Sequence, residues 1–132
     1  MRTIIFATML WAVALVSITL SGQGKSVNEG VYTPTQAARG EATFEASCTA
    51  CHDTSRFSGP DFLSTWTGQP LHVLFDHVHT TMPEDNPGSL KPEQYADVLA
   101  LFLKLNGYPE GTEELPAEAE ALKGIKFDAK VK

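Results

Sequence analysis

An all-α fold is what this sequence predicts, and three observations predict it. Proline-led segments carry apolar residues at helical spacing, glycine and asparagine stand where those segments should stop, and sustained apolar–polar alternation is missing. The first helix is expected from Thr33-Pro34-Thr35-Gln36. Thr33 suits the cap, Pro34 the first helical position, and Gln36 the third residue of a capping box. Ala37, Ala38, Glu41, Ala42 and Glu45 favour helix to about Ala50, with Phe44 as the large apolar contact. Gly40 lies one turn before Phe44, on the same face. Glycine costs a helix about 1 kcal/mol relative to alanine, so its presence points to a close backbone approach there.

Residues 53–60 are rich in turn formers, and a short helix is expected over Asp61 to Trp66. Gly68 then breaks the chain, and Pro70 opens a helix to about Thr80. Its Leu71, Leu74, Phe75 and Val78 form one stripe at i, i+3, i+4 and i+7. Residues 81–91, punctuated by Pro83, Pro87 and Gly88, read as a loop. The last strong helix is expected from Pro92 to Asn106-Gly107, with Gly107 as its C-terminal cap. Val98 to Leu103 is apolar almost all round, so this helix should be buried on more than one side. Lys91, before Pro92, lacks the side-chain acceptor of a good N-cap. A further helical segment is expected around Ala117 to Leu122, and Ile125 with Phe127 is a weak strand pattern.

The start of the chain has the order of an export signal. Arg2 is followed by an uncharged run, apolar from Ile4 to Leu20, and then by Ser21-Gly22-Gln23-Gly24. The alternative is retention as a membrane anchor, since the run from Ile4 to Leu20 is near the lower length limit for a span. The expected organisation is therefore a signal peptide over 1–24, a flexible lead-in over 25–32, one domain over 33–109 and an acidic tail over 110–132. Net charge is −6 for the 132 residues, and removal of the signal segment takes away Arg2 alone, leaving −7. Such an acidic chain is not expected to bind nucleic acid, and would be steered toward a basic docking face.

The two cysteines, Cys48 and Cys51, exclude a disulfide framework. They stand in Cys48-Thr49-Ala50-Cys51-His52, and two cysteines followed directly by histidine is the spacing of covalent haem attachment. The thiols would add to the two haem vinyl groups, and the His52 imidazole would ligate the iron. A domain this small gains from a large apolar cofactor at its centre. Three other readings use the same cysteines. A thioredoxin-like site expects a βαβ context, which the all-helical pattern lacks. A secreted zinc module could draw on Cys48, Cys51, His72 and His77, but that leaves His52 and Met82 without roles. The third is a pair of inert buried cysteines.

A six-coordinate haem needs a second axial ligand, and Met82 is the candidate. It is the only methionine beyond the signal segment, and it stands in the loop Thr80-Thr81-Met82-Pro83, where Pro83 restricts the backbone. Core filling, the ordinary use of methionine, fits poorly beside Glu84 and Asp85. His72 and His79 fall off the apolar stripe of their helix, and with His77 they read as solvated surface histidines.

Over residues 33–109 the chain resembles the class I c-type cytochromes. The resemblance rests on Gly40 and Phe44 ahead of the Cys48–His52 motif, then on Gly59-Pro60, Trp66, Thr81-Met82-Pro83 and the last buried helix. It implies first and last helices crossing near Gly40 around one covalent haem c, with His52 and Met82 on the iron. It also implies that the Pro60 carbonyl accepts the Nδ1 proton of His52, the usual support of a ligating imidazole, with Trp66 near the site. Trp66, Asn86-Pro87-Gly88 and Asn106-Gly107-Tyr108-Pro109 are further similar to small haem domains associated with bacterial quinoprotein dehydrogenases. Two departures stand out. The stretch from His52 to Met82 is compact for the class, and Leu101 stands where the family often has an aromatic, with Phe102 as its neighbour.

The function implied is single-electron transfer between redox proteins, among them a quinoprotein dehydrogenase and an oxidase, in an exported, periplasmic setting. Filled axial positions leave no substrate site, so the chain is expected to be a carrier or a subunit rather than an enzyme. A haem enzyme or gas sensor with a labile sixth ligand is the alternative.

Overall fold

Thr33 accepts a hydrogen bond from the Gln36 amide at 3.0 Å, and Pro34 fills the first position of helix α1, Pro34–Ser47. The computed structural model describes residues 24–131. The export segment expected over 1–24 lies, apart from Gly24, outside the described residues. After α1 come a 3-10 turn at Thr54–Phe57, α2 (Pro60–Trp66), α3 (Leu71–Thr81), α4 (Pro92–Leu105) and a single turn α5 (Ala119–Leu122). The proline starts and the Gly107 stop act as expected, Gly107 having φ 70° after α4. At Lys91 the missing side-chain acceptor is made up by Gln94, whose carboxamide oxygen accepts from the Lys91 amide at 3.1 Å.

Helices α1 and α4 cross, and the crossing sits at Gly40. A Cβ there would collide with the carbonyl oxygen of Asp97 and lie 3.1 Å from the amide nitrogen of Val98. Only glycine lets the two backbones come so close. Every residue of α4 from Tyr95 to Leu103 is buried, in keeping with its all-round apolar pattern. Phe102, rather than Leu101, supplies the aromatic contact to the first helix, edge-on to Phe44 at 6.3 Å.

The segments flanking this core depart from expectation. Residues 25–32, expected as a flexible lead-in, form strand β1 (Lys25–Ser26) and a capped 3-10 turn at Val27–Glu29. Val27, Val31 and Tyr32 are buried. Strand β1 pairs in parallel with β2 (Ile125–Lys126), so the start and the end of the described chain close on each other. The acidic tail likewise buries Leu115, Leu122, Ile125 and Phe127. Gln36 explains part of this. Only the Thr33 half of the capping box forms, because the Gln36 carboxamide pairs with the Leu115 backbone instead, accepting its amide at 2.7 Å and donating to its carbonyl at 3.0 Å. Buried amides need partners, and this exchange satisfies both.

Arg39 fastens the same region. It binds both carboxylate oxygens of buried Asp97, at 3.0 and 2.9 Å, and those of Glu114, at 2.9 and 2.7 Å. Bidentate arginine–carboxylate geometry is the strong form of such contacts. The hydrogen bonds from Arg39 hold the Glu114 carboxyl below its ordinary 4.5. Tyr32 donates to the Tyr108 carbonyl at 2.8 Å, and burial, aided by the Glu110 charge, pushes its phenol up to about 12. Among the described residues no helix is long and apolar enough to cross a membrane.

Candidate haem site

Cys48 caps α1, its amide donating to the Phe44 carbonyl at 2.8 Å. Its own carbonyl accepts from the Cys51 amide at 3.1 Å and the His52 amide at 2.9 Å. The motif is thus one further helical turn. Spacing of i, i+3 and i+4 puts Cys48, Cys51 and His52 on one side of it. That side faces a cavity of about 580 Å³, whose wall also includes Phe44, Phe57, Val98, Phe102, His77, Val78 and Met82. The volume is within the range of cofactor pockets, and the wall is mainly apolar with few polar groups.

Phe57 is the residue that sequence reasoning missed. It stacks on Phe102 at 4.4 Å with rings 4° from parallel, and meets His52 edge-on at 5.4 Å. As the one large apolar side chain in the polar stretch 53–60, it was visible as an exception to its surroundings. Asn106, expected only to end α4, ties this turn down. It donates to the carbonyls of Phe57 and Phe102, at 2.9 and 2.7 Å, and accepts from the Gly59 amide at 3.0 Å.

Both cysteines are free thiols, Cys48 half-buried and Cys51 exposed. Burial pushes the Cys48 thiol up from its ordinary range. Met82 ends α3, its amide donating to the Val78 carbonyl at 2.9 Å, and its bond to Pro83 is cis. The structure therefore brings Cys48, Cys51, His52 and Met82 to one cavity. It does not bring Pro60 there. Nδ1 of His52 is buried without a hydrogen-bond partner, so the carbonyl of Pro60 does not accept from it in this structure. Pro60 is the first residue of α2, where a carbonyl is directed along the helix axis. Trp66 is outside the cavity wall as well, packed against Phe62 at 6.3 Å and against His77 at 5.5 Å.

The three other histidines separate. His77 is exposed, as expected, yet it lines the cavity. His72 and His79 are half-buried, not solvated. His79 stacks on Phe75 at 5.9 Å and stands edge-on to Tyr95 at 4.9 Å. Among the described residues no three His, Cys, Asp or Glu side chains are grouped to hold a metal ion. The Cys48, Cys51, His72, His77 zinc set is therefore not assembled, since His72 is absent from the cavity wall.

A family model described as cytochrome c oxidase, cbb3-type, subunit III, matches residues 35–101, just over half the chain. The chain belongs to this family of c-type cytochromes. Haem-based electron transfer comes with that membership, and the match runs from the start of α1 to near the end of α4. The lead-in and the tail lie outside it. No curated protein and no solved structure matches this cytochrome. Its residues fit a haem on their own chemistry. Two thiols, an imidazole and a thioether border one mainly apolar cavity, and the buried, unpartnered Nδ1 of His52 leaves that imidazole without a competing role in the protein.

Proposed function

We propose that this cytochrome binds one haem covalently through Cys48 and Cys51, ligates its iron with His52 and Met82, and passes single electrons between redox proteins. The observation that supports this is the presence of all four side chains on one mainly apolar cavity. Bound there, the haem would supply a reversible iron(III)/iron(II) couple. The protein's part is to hold and to insulate. The turn at Cys48–His52 orients two thiols and the imidazole together, and the Phe44–Phe57–Phe102 cluster gives His52 a dry surrounding. A thioether ligand raises the reduction potential relative to a second imidazole. That suits an acceptor from a dehydrogenase, such as a quinoprotein dehydrogenase, or a donor to an oxidase, acting outside the cytoplasm after export.

Glu84 and Asp85 border the cavity beside Met82, against a single arginine, Arg56. With the net charge of −6, this rim favours a partner that presents basic residues. Association should then slow as salt rises, because screening shortens the reach of the field.

One observation favours a second reading for the sixth ligand. His77 is the histidine besides His52 on the cavity wall, and its imidazole could take the place assigned to Met82. Haem staining of the exported protein on a denaturing gel tests covalent attachment, and the ferric absorption spectrum tests the ligand. A methionine–iron charge-transfer band at long wavelength that vanishes in Met82→Ala, with CO binding gained, is the expected result. An unchanged spectrum in Met82→Ala would assign His77 instead. A wild-type protein that is high-spin and takes up CO at once would point to a sensor or haem enzyme.

A further inference from the structure

We propose that Tyr95 is a positioning residue for Met82, fastening the loop that presents the thioether. The inference rests on the reading of Met82 as the sixth ligand. Tyr95 belongs to α4, is 1 % exposed, and directs its phenol at the loop rather than at the helix crossing. The hydroxyl donates to the Met82 carbonyl at 2.8 Å, and its oxygen accepts from the Leu90 amide at 3.4 Å. One phenol thus holds both ends of the segment 82–90.

Between those ends the loop is held chiefly by its own turns. The Asn86 amide donates to the Pro83 carbonyl at 2.9 Å, Ser89 to Asn86 at 3.2 Å, and Gly88 to Met82 at 3.3 Å. Residues 84–89 are all exposed. The phenol, in contrast, is fixed from behind. The ring of Tyr95 meets Phe75 at 6.3 Å and His79 at 4.9 Å, both edge-on. A flexible thioether stays on a metal only if its backbone is held, because detachment otherwise gains the loop's conformational freedom. Tyr95 supplies that hold from the buried helix, and it need not touch the cofactor to do so.

The test uses the ferric holoprotein and added imidazole, followed by loss of the methionine–iron band. Tyr95→Phe keeps the ring but removes both hydrogen bonds. The band should persist without imidazole, and the affinity for imidazole should rise roughly 3- to 10-fold, as expected for a net hydrogen-bond contribution. Tyr108→Phe is the control. It removes a phenol–carbonyl bond of equal length, 2.8 Å to Asp128, from a tyrosine outside the cavity wall, and should leave imidazole affinity unchanged. Equal imidazole affinity in Tyr95→Phe and wild type, with the band present in both, would overturn the positioning role alone. Absence of the band from the wild-type protein would overturn the Met82 reading and the positioning role with it. If Tyr95→Phe does not accumulate with haem, NMR of the ferrous wild type decides. A slowly exchanging Tyr95 hydroxyl proton close to Met82 supports the proposal, and a rapidly exchanging one overturns it.

Discussion

Where residues 25–39 meet α4 and residues 108–128, polar groups pair with each other: Gln36 with the Leu115 backbone, Arg39 with Asp97 and Glu114, Tyr32 with the Tyr108 carbonyl. Around Cys48–His52 and Met82 the pattern is the reverse. Free thiols and an imidazole with a buried, unpartnered nitrogen border a cavity of about 580 Å³. Unpaired buried polar atoms and unfilled apolar space both cost stability. The first region also borders a cavity, of about 640 Å³, but one with the charged Lys25, Glu29, Glu113 and Glu114 on its wall, whereas the wall of the second is mainly apolar and carries the Cys48–His52 side chains. The family match stops short of most of the first region and contains the second apart from Phe102.

The largest effect expected from this contrast follows loss of the thiols. Cys48→Ser with Cys51→Ser should abolish covalent haem staining and lower both helical content and melting temperature, since the second region then lacks its filling. A double variant as helical and heat-stable as the parent would show that the cavity stands without the cofactor, and the contrast would break.

Next comes the crossing that joins the two regions. Gly40→Val gains a few tenths of a kcal/mol in helix propensity, but overpacking costs about 1–3 kcal/mol. Because the first atom met is the Asp97 carbonyl oxygen, with no side chain to swing away, the upper end of that range is expected. Thermal unfolding should shift downward with haem still attached and the methionine band retained. A rise in melting temperature would place Gly40 at the surface.

The smallest effect belongs to Arg39 and Glu114. Arg39 holds the Glu114 carboxyl below its ordinary 4.5, so the pair stabilises the fold above that value and the contribution fades as pH falls through the lowered one. Both side chains are nearly half exposed, which limits the gain through solvent screening. Glu114→Gln should flatten the acid limb of a stability–pH curve slightly while leaving the haem spectrum alone. A steepened acid limb would show that another carboxylate governs it.

The two regions also differ in how far the sequence discloses them. Helices α1 to α4 carry local signals, with Pro34, Pro60 and Pro92 at the starts and Gly107 at the stop. Cys48, Cys51 and His52 converge because their spacing is itself one helical turn, and Met82 stood out as the sole methionine after Met9. The ordered lead-in had no such signal. Residues 25–32 are short and polar, and the partners they find lie in chain from 108 onward: Lys25 pairs with Ile125, and Tyr32 bonds with Tyr108 and Gly111. Local pattern cannot register a partner that distant. The burial of His79 escaped for a related reason, since its cover, Tyr95, arrives from another helix. The Pro60 carbonyl was expected from resemblance rather than from local chemistry, and that step did not carry over to this structure.

The pairing of Lys25 with Ile125 sets an order on folding. Contacts between residues so far apart come at a high loop-closure cost, so they are made late, after local ones have formed. The turn at Cys48–His52 is local and can form early. If Cys48 and Cys51 take a haem as proposed, the turn that presents them is expected to form before the chain around Val27 and Phe127 closes.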